Sequence, residues 1–126
     1  MPRPLVVGNW KMHKTVAEAQ ALAAAVRDGV RDFTNIDVAM APPFTALAAV
    51  GEVLKGSPVG LAAQTMHEAA KGAFTGEISP ALLKDVGCTH VILGHSERRH
   101  LFGETDQAIM KKARAALDHS LIPILC

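Results

Sequence analysis

The stretch Ser79-Pro80-Ala81-Leu82-Leu83-Lys84-Asp85-Val86-Gly87-Cys88-Thr89-His90-Val91-Ile92-Leu93-Gly94 holds a helix, its stop and the strand that follows. Ser79 is a good N-cap, and Pro80 sits at the first helical position, where a missing N–H costs nothing. Leu82, Leu83 and Val86 give the helix an apolar side, and Gly87 stops it. Val91-Ile92-Leu93 is apolar without alternation, as a strand covered on both faces should be.

The same alternation extends along the chain in both directions. Further apolar runs are Leu5-Val6-Val7, Val38-Ala39-Met40-Ala41, Val59-Gly60-Leu61-Ala62-Ala63 and Leu121-Ile122-Pro123-Ile124-Leu125. Between the first two, Val16, Leu22, Val26, Val30 and Phe33 recur at helical spacing, opened by a Thr15/Glu18 capping box. Leu47, Val50 and Leu54 outline a second helix before Gly56. A last one spans about Thr105 to His119, with Ile109, Ala113, Ala116 and Leu117 inward and Lys111, Lys112 and Arg114 outward. The order β-α-β-α-β-α-β-α-β predicts an α/β fold with a parallel sheet. Spacing leaves open a doubly wound sheet or part of a (β/α) barrel, and no linker marks a domain boundary.

Composition narrows the function classes. The 126 residues are 49% apolar and 20% charged, which excludes disorder by composition and allows one average domain. One Trp, four Phe and no Tyr leave packing to small aliphatics. A net charge of +1 lacks the basic footprint of a nucleic-acid binder. Cys88 and Cys126 are far apart, which reads as two reduced thiols, and the histidines show no metal-ligand spacing. Neither a signal peptide nor an apolar run of membrane-spanning length is expected, so a soluble, cytoplasmic protein is. Ending at Leu125-Cys126, in or beside an apolar strand, is expected of an interrupted chain.

Parallel α/β folds place ligands beyond the carboxyl ends of their strands. The first run ends in Gly8-Asn9-Trp10-Lys11, the third in Gln64-Thr65, and the fourth in Gly94-His95-Ser96-Glu97-Arg98-Arg99. A cation, an amide, an imidazole and a carboxylate are therefore expected at one end of the sheet. Val7-Gly8-Asn9-Trp10-Lys11-Met12, Ala41-Pro42-Pro43, Gly72-Ala73-Phe74-Thr75-Gly76-Glu77 and Ile92-Leu93-Gly94-His95-Ser96-Glu97-Arg98-Arg99 resemble the signature segments of the triosephosphate isomerase family. The resemblance covers all 126 residues and corresponds to the first half of that family's chain.

What the resemblance implies is specific. The fold would be an eight-stranded (β/α) TIM barrel. Residues 1–126 would form the N-terminal half of that single domain, with about four β-α units and the start of a fifth strand. The activity would be interconversion of dihydroxyacetone phosphate and D-glyceraldehyde 3-phosphate through an enediolate, in glycolysis and gluconeogenesis, with no cofactor and no metal. Negative charge develops on the carbonyl oxygen, so such a site needs preorganised donors. By the match, Lys11 is the cation near phosphate and enediolate, and Asn9 is a neutral substrate-binding donor beside it. His95 is the neutral electrophile, a role for which this enzyme family is the standard instance, so it comes from the resemblance. Glu97 is a second carboxylate paired with the lysine, supported by Ser96. The general-base glutamate, the lid and the glycine-rich phosphate site would lie on segments outside these residues.

The Gln64–Ile78 connection is long for its type, and long ordered loops usually carry a function. In the family it is the dimer loop. Phe74 and Thr75 would then enter a second subunit, and Glu77 and Arg98 would join an intersubunit ion-pair set. The family commonly has Gln-Asn where this chain has Gln64-Thr65. Expected partners are a small phosphorylated triose, the C-terminal half of the barrel and a second copy, with no nucleic acid and no membrane. The competing readings are an inactive half-barrel fragment and a binding module for a phosphorylated ligand.

Overall fold

A computed structural model describes residues 2–126. The chain divides into two compact units, one reaching to Gln64 and one running Thr65–Cys126.

The first unit holds β1 (Leu5–Asn9), α1 (Val16–Gly29), β2 (Asp37–Ala41), α2 (Phe44–Leu54) and β3 (Gly60–Ala63). β2 lies parallel to β1 with Leu5 opposite Asp37 and Asn9 opposite Ala41. β3 continues the parallel order, Ala39 facing Gly60 and Met40 facing Leu61. The predicted capping box is formed: Thr15 Oγ1 accepts the Glu18 N–H, and Glu18 Oε1 accepts the Thr15 N–H at 3.0 Å. α1 stops at Gly29, so Val30 and Phe33, predicted on its apolar face, lie beyond it. Its buried positions are Ala19 and Ala23, while Val16 is exposed and Leu22 and Val26 are half-buried. Alanines let α1 come close to α2, which buries the predicted Leu47, Val50 and Leu54 together with Ala46. Each large side chain so buried contributes roughly 1.5–3 kcal/mol, so α2 supplies most of the apolar anchoring of this helix pair.

The second unit holds α3 (Pro80–Asp85), β4 (His90–Leu93), α4 (Ser96–Phe102), α5 (Asp106–Asp118) and β5 (Ile122–Leu125). Ser79 caps α3 by accepting the Leu82 N–H at 3.2 Å. Only Leu83 of the predicted stripe is buried, and Leu82 faces outward at 56% exposure. β5 lies parallel to β4, with His90 opposite Ile122 and Leu93 opposite Leu125. On α5 two expectations are reversed: Lys112 is buried and Leu117 is exposed. At about 100° per residue, Ile109, Lys112 and Ala116 share one stripe, and Leu117 falls roughly a quarter turn from its centre. Position on the helix outweighs side-chain polarity here because Lys112 finds a carboxylate inside. Among the described residues, no helix is long and apolar enough to cross a membrane.

Candidate active site

In the first unit, the chemistry-bearing residues follow β1. Asn9 is the last strand residue, and the Trp10 N–H continues the ladder to the Ala41 carbonyl at 3.0 Å. Lys11 then takes φ +53°, a left-handed conformation unusual for a residue with a Cβ. Two carboxamides hold it there. Asn9 Oδ1 accepts the Lys11 N–H at 3.0 Å, and Gln64 Nε2 donates to the Lys11 carbonyl at 2.9 Å. The same Gln64 Nε2 donates to the Ala41 carbonyl at 2.9 Å, tying the bend to the end of β2. With its oxygen engaged by the backbone, Asn9 keeps its NH₂ group as its remaining donor. Gln64 is more than a motif position, since it fixes the backbone from which the lysine projects.

In the second unit, Gly94 ends β4 with φ +72° and hands the chain to His95, the N-cap of α4. His95 Nδ1 accepts the Glu97 N–H at 3.1 Å. An accepting Nδ1 carries a lone pair, so this bond assigns the neutral tautomer with its proton on Nε2. That nitrogen is then a neutral donor. Ser96 is exposed at the first position of α4. Glu97 Oε1 lies 3.7 Å from His95 Nδ1, beyond hydrogen-bond range.

The structure thus brings Asn9 to Lys11 in one unit, and Ser96 and Glu97 to His95 in the other. Phe74, Thr75 and Glu77 are exposed on the loop that opens the second unit. That loop is ordered by its own bonds: His67 N–H to the Ile78 carbonyl at 2.8 Å, and Glu77 N–H to the Phe74 carbonyl at 2.9 Å. The Phe74 ring lies 4.2 Å from the His67 ring, centre to centre. Within the chain, Arg98 Nε donates to Glu104 Oε2 at 2.8 Å, and its guanidinium sits 5.2 Å from the Phe102 ring centre. The Thr65 hydroxyl, where the resembling family commonly has asparagine, is buried without a hydrogen-bond partner among the described residues.

Sequence reasoning missed Glu104. Its side chain is only 4% exposed and meets Arg98, Lys112 and the Gly94 N–H. Burial works to raise its carboxyl, but the bonds from Arg98 and Lys112 outweigh that and hold it below the usual carboxylate value. Cys88 is the opposite case: burial alone pushes its thiol up to about 12, which makes it a packing residue. Among the described residues, no group of His, Cys, Asp or Glu side chains is arranged to hold a metal ion.

Comparison with known proteins gives one result throughout. A family model described as triosephosphate isomerase matches residues 4–126. The triosephosphate isomerase of Herpetosiphon aurantiacus is 55% identical over 126 residues, covering 100% of this chain and 50% of that one. That of a Roseiflexus species is 52% identical over the same span and coverage. The crystal structure of triosephosphate isomerase from Bartonella henselae superposes with a TM-score of 0.93 at 34% identity, over 99% of this chain and 52% of that one. The chain spans about half the length of the curated relatives it matches.

Proposed function

Since the chain belongs to the triosephosphate isomerase family, with the α/β fold of part of a TIM barrel, we propose that it supplies the electrophilic part of an aldose–ketose isomerase. The substrates are dihydroxyacetone phosphate and D-glyceraldehyde 3-phosphate, and the reaction is an intramolecular oxidoreduction through an enediolate. A base takes the proton from the carbon beside the carbonyl; the C–H electron pair becomes the carbon–carbon double bond of the enediolate, and the carbonyl π pair moves onto the oxygen. Return of the proton to the neighbouring carbon, with transfer of the hydroxyl proton between the two oxygens, completes the isomerisation. His95 Nε2–H donates to that oxygen, Lys11 stabilises its charge and the phosphate, and the Asn9 NH₂ adds a neutral donor. Donors fixed in advance are worth a few kcal/mol each in such a step. Glu97, with Ser96 beside it, supports this set.

The observation that carries the reading is the Glu97 N–H bond to His95 Nδ1, which leaves a neutral donor at the nitrogen the chemistry needs. The reading requires Asn9, Lys11, His95 and Glu97 to face one cleft. It also takes residues 1–126 as the N-terminal half of one barrel domain, completed by a C-terminal half that carries the base glutamate. A second copy completes the assembly as a homodimer. Phe74 and Thr75 dock into the neighbour, and Glu77 and Arg98 pair across the interface. The location is the cytoplasm and the pathways are glycolysis and gluconeogenesis.

Isomerase assays on this chain, with and without the complementary half, test the proposal. The chain alone is expected to show no measurable turnover, since losing a positioned base costs about 10²–10⁴-fold by itself. Addition of the complementary half should restore activity. Turnover by the chain alone would place the base among these residues and overturn the supporting role of Glu97. Silence with both halves present would favour a half barrel that only assembles.

A further inference from the structure

The imidazole of His95 can act as a fixed donor only if the backbone beneath it is fixed. Gly94 precedes it at φ +72°, a conformation that a residue with a Cβ adopts at a cost. A Cβ at Gly94 would also meet Arg99 Nη2 and Ile109 Cδ1 at 3.0 Å and the Cys126 carbonyl at 3.2 Å. Both peptide planes flanking the Gly94 α-carbon are held by charged side chains. On the entering side, its N–H donates to Glu104 Oε1 at 3.0 Å. On the leaving side, its carbonyl accepts from Arg99 Nε at 2.8 Å.

Neither clamp is free to swing. Glu104 Oε2 accepts from Arg98 Nε at 2.8 Å and from Lys112 Nζ at 3.0 Å, and the Glu104 N–H donates to the Arg98 carbonyl at 3.1 Å. Arg99 also donates from Nη1 to Asp106 Oδ1 at 2.6 Å and from Nη2 to the Cys126 carbonyl at 3.2 Å. A buried ion triad could serve stability alone. Its target argues for more, because its free oxygen is spent on the N–H of the residue that aims the imidazole.

We propose that Glu104, together with Arg99, is a positioning residue for His95, locking the Gly94 backbone so that Nδ1 stays on the Glu97 N–H and Nε2–H keeps one direction. The value of this to catalysis rests on the isomerase reading; the geometry does not. Imidazole ¹H–¹⁵N spectra of the 126-residue chain provide the test. The parent should show His95 as one tautomer, protonated at Nε2. In Glu104→Gln the minor tautomer should grow at least about tenfold and the Glu97 amide should shift. Leu83→Ala, an unrelated core lesion in the same unit, should leave both signals unchanged. A folded Glu104→Gln chain with parental His95 and Glu97 signals overturns the proposal, as does equal movement in Leu83→Ala. If Glu104→Gln does not fold, Arg99→Lys must show the same loss. In the parent itself, a Gly94 amide that exchanges as fast as an exposed loop amide overturns the proposal without any substitution. With the complementary half present, Glu104→Gln should lower kcat about 10- to 100-fold with KM nearly unchanged. Absence of turnover in the parent assembly would sink the isomerase reading, while the tautomer result would stand on its own.

Discussion

Lys11 shows how a single residue can be strained and useful together. A left-handed lysine costs roughly 1–2 kcal/mol, and its two neutral hydrogen bonds with Asn9 and Gln64, about 0.5–1.5 kcal/mol each, are enough to hold it, with Gln64 itself anchored to the Ala41 carbonyl. Replacing it by glycine removes the strain and adds unfolded-chain entropy. Lys11→Gly should therefore unfold in urea at least as reluctantly as the parent, by about 0–1 kcal/mol, although glycine normally weakens a chain. Lys11→Ala keeps the Cβ and should gain nothing. A loss of 1 kcal/mol or more in the glycine variant would show that the conformation is not strained. The residue types were legible from an Asn-x-Lys following a strand. The sign of φ was not, because nothing in a lysine's chemistry announces a left-handed backbone.

Among the elements, the join of β4, α4 and α5 depends most on charge. The strand was legible from Val91-Ile92-Leu93, and α5 from its spacing. The ion triad between them was not. Arg98 and Glu104 stand on opposite sides of Gly103, whose left-handed cap ends the helix and breaks the count that would pair them. Lys112 was misread for a related reason: ranking residues by polarity sends a lysine outward unless its buried partner is already known. The triad has a pH signature. A carboxyl held below its usual value binds its proton more readily in the unfolded chain. Its contribution is complete above about pH 4.3 and fades as the pH falls through the lower folded value. The stability gap between the parent and Glu104→Gln should therefore narrow from about pH 6 to about pH 3 in urea titrations at matched salt. A gap that stays constant or widens on acidification would mean the carboxylate is not the stabilised form.

For the whole molecule, family membership was legible because several spaced motifs agree, each at a strand end or in the long loop. Less legible was how much apolar surface the chain leaves open. Val6, Leu101, Phe102 and Leu117 are all more than half exposed. In the first unit an apolar hollow of about 290 Å³ is lined by residues including Val6, Trp10, Val26, Phe33 and Met40. The resemblance gives the long loop a second subunit to dock into; within this chain its backbone bonds and the His67–Phe74 ring contact already order it. This changes where a protease can cut. Lys71 stands exposed on that loop, the kind of place where nicking concentrates, but trypsin needs the segment pulled open first. Phe74→Ala removes a ring contact worth about 0.5–1.5 kcal/mol, so cleavage after Lys71 should quicken roughly 2- to 10-fold. An unchanged digestion rate would mean the loop opens without breaking that contact. Otherwise a segment exposed to water is also slow to be digested, because its own bonds must break before a protease can cut it.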